Sequence, residues 1–325
     1  MNMLVTGAGG FIGSHVVQEL AQRGYGVRAM VRYNSRGDRG KLEEVQLPAG
    51  GELEVRFGDV QDLTLLTDLV SGCHVVLHLA ALITIPYSYQ APASYVSTNV
   101  VGTLNVLEAC RRHAVKRLVV TSTSEVYGTA RYAPIDEAHP LQAQSPYAAS
   151  KIGADKLAES YFRSFDLPVV ILRPFNTYGP RQSARAIIPT VLSQALAGVE
   201  EIRLGNLEPR RDLTFVEDTA RAFALAAETP GIEGETIHFG QGEAVSVGDI
   251  AQKCLDVVDS RARLVSVAQR QRPENSEVEL LICDATKARQ VLGWSPQVPL
   301  DEGLRRTAEY IRAHPGQYRS SEYAV

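Results

Sequence analysis

The chain has 325 residues, 45% of them hydrophobic and 22% charged, and a formal net charge of −4. These values fit a globular protein of one large or two modest domains; they give no reason to expect nucleic acid or an anionic membrane as partner, and no apolar run approaches the about 18–20 residues that span a bilayer. Cys73, Cys110, Cys254 and Cys283 lie far apart without a C-x-x-C, so free buried thiols in a reducing cytoplasm are expected, and neither a disulfide framework nor a metal site.

Residues 1–6 read as a short buried strand, with no basic leader or cleavage site ahead of it. The strand runs into Gly7-Ala8-Gly9-Gly10-Phe11-Ile12-Gly13, and a helical pattern follows over 14–23. Strand, glycine turn and helix are the context of a dinucleotide site. Glycines admit a pyrophosphate to the backbone, and the helix N-terminus favours its charge. The spacing here is G-x-x-G-x-x-G rather than G-x-G-x-x-G.

A second strand is predicted over 27–31. An NAD site usually has an acid at its end for the ribose 2′-hydroxyl. This chain has Arg32, Tyr33, Asn34, Ser35 and Arg36. A guanidinium there suits a 2′-phosphate, so NADP is expected, with NAD possible. A solvated basic loop is the plainer alternative.

Strands are predicted over 53–57, 75–79 and 117–121, with an amphipathic helix over 97–113. Asp59 follows the third strand, where it could bond the adenine amine. Ala80 follows the fourth and Thr121 ends the fifth. Alternating strands and helices predict an α/β fold on a doubly wound parallel sheet, with ligands beyond the carboxyl ends of the strands.

Ser145-Pro146-Tyr147-Ala148-Ala149-Ser150-Lys151 then opens a helix, predicted over 147–165. Tyr147 and Lys151 are one turn apart on one face. Alone, such a pair is an ordinary surface contact. An ammonium beside a phenol lowers the phenol's pKa, which is the expectation for Tyr147 as a base.

Taken together, T-G-A-G-G-F-I-G, H-L-A-A, N-V-V-G-T, Y-A-A-S-K and R-P-F-N-T-Y-G-P-R occur in order. The chain resembles the extended short-chain dehydrogenase/reductase family in its nucleotide-sugar branch, over nearly its whole length. The resemblance implies a Rossmann fold with a smaller C-terminal α/β substrate-binding lobe, and Tyr147 and Lys151 as the redox pair. It also implies a cofactor site of Gly7, Gly10, Phe11, Ile12, Gly13, Arg32, Asn34, Ser35, Asp59, Val60, Leu79, Ala80, Ala81, Asn99, Thr121, Tyr147, Lys151 and Pro174. The substrate, a nucleotide-diphosphate sugar, is expected at Tyr87, Thr123, Asn176, Arg185, Arg211 and Arg272. Two planar cations, Arg211 and Arg272, suit its phosphates. A homodimer is implied through helices 97–113 and 147–165, which would form a four-helix bundle using Val101, Leu104, Leu107, Leu157, Ala158 and Tyr161.

Thr121-Ser122-Thr123-Ser124-Glu125-Val126-Tyr127-Gly128 points to the sub-class. It resembles the segment of sugar 4,6-dehydratases, and its Ser-Glu form is that of GDP-mannose 4,6-dehydratases. Thr123, Ser124 and Glu125 are therefore expected to be catalytic beside Tyr147 and Lys151. UDP-glucuronate decarboxylases carry a similar segment, so a decarboxylase or a UDP-sugar 4-epimerase is the alternative. A non-catalytic NADP sensor is the alternative outside enzymes; the intact Tyr147, Lys151 and Glu125 argue against it.

Further strands are predicted over 169–172, 201–204 and 236–239, and helices over 184–198, 219–228, 246–259 and 300–313. The expected division is a dinucleotide domain of 1–176 with 213–241, and a sugar lobe of 177–212 with 242–325. The polar tail from His314 is expected to fray.

Overall fold

The computed structural model describes residues 2–267 and 273–318. β1 (Asn2–Thr6), α1 (Phe11–Gln22), β2 (Gly26–Arg32), β3 (Leu53–Gly58), α2 (Leu63–Val70) and β4 (Val75–His78) open the chain. Two short helices, α3 (Ile85–Gln90) and α4 (Pro92–Tyr95), precede α5 (Gly102–Arg112), β5 (Arg117–Thr121), α6 (Pro146–Phe165) and β6 (Val169–Pro174). Then come β7 (Asn176–Tyr178), α7 (Ile187–Leu196), β8 (Glu201–Leu204), β9 (Arg210–Arg211), β10 (Leu213–Phe215) and α8 (Val216–Glu228). β11 (Thr236–Phe239), β12 (Val245–Ser246), α9 (Val247–Val257), β13 (Arg263–Ser266), β14 (Leu280–Leu281), α10 (Thr286–Leu292) and α11 (Leu300–Ala313) complete it.

Seven strands form one parallel sheet in the order β11–β6–β5–β4–β1–β2–β3. Both faces are covered, which is why strands such as Val75–His78 are buried along their whole length. One face packs Val16, Leu20 and Phe223 from α1 and α8; the other packs Leu66, Leu107 and Ala158 from α2, α5 and α6. The strand order reverses between β1 and β4, so a crevice opens there beyond their carboxyl ends. This is the doubly wound parallel sheet expected from the alternation of elements, and the Rossmann fold that the family resemblance implies.

A third apolar cluster gathers Tyr178, Leu192, Ile202, Cys254, Leu304 and Ile311 from β7, α7, β8, α9 and α11. Val278, Leu281, Cys283, Ala288 and Trp294 pack instead into the large core beside α8 and β11. The chain thus crosses back to the sheet after β13, a return that short strands and a seven-residue helix do not announce in the sequence. All four cysteines are buried and free. No helix among the described residues is long and apolar enough to cross a membrane.

Two local expectations change. The helix expected over 97–113 is interrupted: Val96–Val101 is a π-helical turn, and only Gly102–Arg112 is regular α-helix. Such turns are frequent at functional sites, and this one carries Asn99. The tail does not fray at His314. Residues 315–317 form a turn, and the buried Tyr318 donates its hydroxyl to the Gln182 carbonyl at 2.9 Å.

The packing buries His15, His78 and His238 in surroundings that hold them neutral, and this makes stability sensitive to acid. Burial lowers His15 to about 4, and His78 and His238 to about 3. An imidazole whose folded pKa is lowered contributes stability above its ordinary value of 6.5, and that contribution is lost as pH falls below it. Burial raises Asp212 to about 6 and raises Glu137 too, which acts in the opposite sense. The histidines outnumber them, leaving a net uptake of about one to two protons on unfolding near pH 5. Stability should then fall by ~1.4–2.7 kcal/mol per pH unit between about pH 6 and 4.5. Urea titrations across that range check it; a flat profile contradicts it.

Candidate active site

The glycine turn has two positions that require glycine. Gly7 has φ +69°, and a Cβ there would lie 2.7 Å from the Ala80 nitrogen. A Cβ on Gly13 would lie 2.2 Å from the Gly7 carbonyl oxygen. Gly7 therefore allows β1 to lie against the chain leaving β4, and Gly13 lets α1 close onto the turn. Gly10 is the N-cap of α1, and no side chain bonds to the first turn there. The backbone N–H groups around Phe11, Ile12 and Gly13 suit a diphosphate.

The neighbouring strand ends supply the rest of the crevice. Ala80 N–H donates to Thr6 Oγ1 at 3.2 Å, holding Leu79, Ala80 and Ala81 against the turn. Asp59 accepts from the Gln61 N–H at 2.9 Å, and Val60 is buried below it. Arg32 ends β2 in the open. It lines a cleft of about 310 Å³ with Gln61, Leu82, Tyr87, Ser94, Ser97 and Thr98. The side chain of Arg32 has no ion-pair partner among the described residues. Asn34 closes its own loop, its Oδ1 accepting from the N–H groups of Arg36 and Asp38. Ser35 is exposed in that loop. Pro174 is buried at the end of β6.

Asn99 is 1% exposed, and its amide is committed to protein partners. It accepts from Leu82 N–H and donates to the Leu82 carbonyl and to Ser150 Oγ, all at 2.9 Å. Asn99 thus pins the loop after β4 to α6.

α6 begins where the sequence says it should. The Ser145 hydroxyl caps it by accepting from Ala148 N–H at 3.1 Å, and Pro146 occupies the first turn. Such a cap stabilises a helix by roughly 1 kcal/mol. Tyr147 and Lys151 share the buried face. The Tyr147 ring lies edge-on to Tyr95 at 6.2 Å, with Ile85 and Leu82 beside it.

The electrostatics correct one expectation. Within the protein alone the Tyr147 phenol is raised, not lowered, despite the neighbouring Lys151. Burial pushes the phenol well above its ordinary range, and the fields of Glu125 and Asp155 push the same way; a hydrogen bond with Thr123 pulls it down. Lys151 instead donates from Nζ to the Thr121 carbonyl at 2.6 Å. Burial lowers its pKa and the Asp155 field raises it. Sequence spacing placed the two side chains on one face but could not show that both are buried.

Thr123 caps a short turn, Ser124–Tyr127, by accepting from Glu125 N–H at 3.2 Å. Ser124 is buried and Glu125 half-buried. Thr123, Glu125, Tyr147 and Lys151 are therefore brought together at the end of β5. Thr121 Oγ1 and Asn176 Oδ1 are buried without a hydrogen-bond partner. The Thr121 hydroxyl can donate or accept and the Asn176 amide oxygen accepts, so these two orphaned atoms at the sheet's carboxyl edge suit ligand groups that include O–H or N–H donors, such as ribose or sugar hydroxyls. Arg185 is exposed, and its charge reaches Tyr95. Arg211 is buried and paired with Glu277 at 3.3 Å. Tyr87 is 42% exposed on the cleft that Arg32 lines. Arg272 lies outside the described residues. No cluster of metal-binding side chains occurs among the described residues.

The sequence reading missed Asp155, Tyr95 and Ser150. Asp155 carried a signal, since it lies one turn beyond Lys151 on the same face.

The sequence model of the GDP-mannose 4,6 dehydratase family matches residues 4–307. The chain belongs to this family. It is thus an NDP-sugar dehydratase/epimerase of the extended short-chain dehydrogenase/reductase group. A dTDP-glucose 4,6-dehydratase of Actinoplanes sp. is 33% identical over 97% of this chain and 98% of its own length. A UDP-glucose 4-epimerase of Mycolicibacterium smegmatis is 34% identical over 96% and 99%. The crystal structure of DesIV, a dTDP-glucose 4,6-dehydratase of Streptomyces venezuelae with NAD and TDP bound, superposes with a TM-score of 0.88. It is 32% identical over 98% of this chain and 99% of that one. Dehydratases and 4-epimerases thus resemble the chain equally well.

Proposed function

We propose that the protein is an NDP-hexose 4,6-dehydratase that regenerates its nicotinamide cofactor in each turnover. One observation carries the choice: the turn Ser124–Tyr127, capped by Thr123 just beyond β5, carries a half-buried carboxylate, Glu125, on the Tyr147 side of the crevice. Hydride removal and return at one carbon need only the tyrosine. Elimination needs a second base, and Glu125 is the residue we read in that role.

A bound nicotinamide would take hydride from C4 and give it back at C6. Residues of the glycine turn, Arg32, Asp59, Ala80, Thr121 and Lys151 would hold it. Tyr147 accepts the O4 proton while Thr123 steadies O4. The C4 ketone acidifies C5, and Glu125 takes the C5 proton. The 6-hydroxyl leaves as water with a proton assisted by Ser124 or relayed by Glu125. Hydride addition at C6 leaves a C4–C5 enolate that takes up one proton at C5, matching the O4 proton that Tyr147 holds, so the product is a 4-keto-6-deoxy sugar plus one water and the enzyme regains its starting protonation. Asn176, Arg185, Arg211, Arg272 and Tyr87 would receive the nucleotide diphosphate side. Incubation with dTDP-, GDP-, CDP- and UDP-glucose or -mannose tests the reading. A 4-keto product, seen by its absorbance in alkali, is expected with one of them. A 4-epimer as the only product overturns it in favour of the epimerase, the reading that the equal similarity to 4-epimerases supports.

The cofactor reading is NADP. Arg32 stands where an acid would select NAD, and Arg36 and Arg39 nearby also have no ion pair among the described residues. The DesIV structure contains NAD, so the loop after β2 is where this chain would differ. Losing an Arg–phosphate bond forfeits about 1.5–3 kcal/mol. Arg32→Asp should therefore reverse the preference by about ten- to hundredfold, read by calorimetric titration of both cofactors. Equal wild-type affinities would remove the argument.

The protein is further read as a cytoplasmic homodimer. Leu107 and Ala158 are fully buried within the monomer, and Tyr161 nearly so. Val101 is 43% exposed, and Phe165 51%. With half-buried Leu104 and Leu157 they leave an apolar seam along α5 and α6. A monomer by sedimentation at micromolar concentration would exclude the dimer.

A further inference from the structure

A buried polar chain lies behind Tyr147 and Lys151 that the reaction above does not use. Asp155 is 1% exposed, one turn beyond Lys151 on α6. Its Oδ2 accepts from Ser122 Oγ at 2.6 Å and from Arg173 Nε and Nη2 at 3.2 and 2.9 Å. Its Oδ1 is buried with no hydrogen-bond partner. Arg173 gives Nη1 to the Tyr127 oxygen, and the Tyr127 hydroxyl meets His238 Nε2. His238 Nδ1 faces the Ile135 carbonyl at 3.4 Å. Carbonyl oxygen only accepts, so Nδ1 carries the proton and Nε2 accepts from Tyr127. His238 and Tyr127 are thus neutral links, and Arg173 and Asp155 are the charges.

Lys151 is 3% exposed, and among the described residues its hydrogen-bond acceptor is the neutral Thr121 carbonyl. A buried ammonium with only a neutral acceptor tends to lose its proton. Other groups face the pair from every side. His78 on β4 is kept neutral by burial; Glu125, Tyr95 and, directly, Asp155 itself raise the phenol; Arg173 on β6 is a cation. Asp155 is the acid whose field favours a charged Lys151. Arg173 and Lys151 supply two cations beside the phenol and Asp155 and the Glu125 carboxylate two anions, so a phenolate at Tyr147 depends on the neighbouring Lys151 keeping its proton.

We infer that Asp155 is a positioning residue for proton transfer: fixed by Arg173 and Ser122, it keeps Lys151 an ammonium and so sets the pH range in which Tyr147 can accept a proton. The inference rests on Tyr147 and Lys151 being the redox pair. It does not depend on the choice between dehydratase and epimerase.

The deciding measurement, the Lys151 titration, needs no substrate. The chain has six lysines, so ε-carbon-labelled lysine resolves few NMR signals, and Lys151→Met identifies that of Lys151. Asp155→Asn keeps the size and can still accept from Ser122. It leaves Arg173 buried and unpaired, so the double variant Asp155→Asn/Arg173→Gln removes both charges and protects folding. The Lys151 titration midpoint should fall in both. In Asp155→Glu, which keeps the charge, it should stay near the wild-type value. With dTDP-glucose and UDP-glucose as probes, the alkaline limb of kcat/KM should move to lower pH. The ratio of rates at about pH 9 and about pH 7 should drop about tenfold, in kcat more than in KM. An unchanged Lys151 midpoint in either folded variant overturns the inference. So does a double variant whose activity and pH profile both return to wild type, which would make Asp155 a folding element only. Failure to turn over either sugar speaks against the proposed substrate, while the lysine titration still decides the role of Asp155.

Discussion

Tyr147→Phe is expected to lower turnover of the correct nucleotide sugar by about 10²–10⁴-fold, the usual contribution of a positioned acid–base group. The substitution isolates the hydroxyl. The ring is buried against Tyr95, Ile85 and Leu82, and phenylalanine keeps that packing. Only the hydrogen bond with Thr123 and the proton acceptor are lost. Melting temperature should therefore hardly move while the rate collapses. The burial that raises the phenol's pKa makes the effect larger, since no exposed group stands ready to replace it. Hydride exchange between C4 and cofactor should stop as well, because O4 cannot be deprotonated. Steady-state rates, a melting curve and a C4-deuterated substrate check all three. A variant within about tenfold of wild type would show that another group removes the O4 proton.

The glycine turn, the seven strands of the main sheet and the α6 pair were legible because each is a local pattern. Gly7 and Gly13 are needed for contacts a few residues away, and Tyr147 and Lys151 are fixed by helical geometry alone. What stayed hidden depends on long-range contact. Asp155 reads as a helix-surface acid until β5 brings Ser122 and β6 brings Arg173 to it. The fate of Arg211 required the pairing of β9 with β14, which sets Glu277 beside it. The hold of Asn99 on the loop after β4 required that loop to fold back onto its amide. The direction of the Tyr147 shift was missed for the same reason. Spacing gives the neighbour, while burial, which dominates here, comes from Tyr95 and two short proline-started helices with no clear periodicity.

Glu125→Gln separates oxidation from elimination. Tyr147 acts before the C4 ketone exists, and Glu125 only after it. Glutamine preserves the size of the side chain and leaves the Glu125 backbone N–H on Thr123 Oγ1, so the turn at the end of β5 should persist. The variant also removes a negative charge that opposes the phenolate at Tyr147. The first step should therefore be no slower than in the wild type, and the phenol should ionise more readily. Proton removal from C5 should fall by about 10²–10⁴-fold. In single turnover with the correct sugar in deuterated water, reduced cofactor should accumulate while deuterium stays out of C5 and no 4-keto-6-deoxy product forms. Wild-type deuterium incorporation at C5 in Glu125→Gln would show that another group is the base. The dehydratase reading would then lose the one residue that distinguishes it, and 4-epimerisation, which leaves C5 untouched, would be the better account of the same Tyr147 and Lys151.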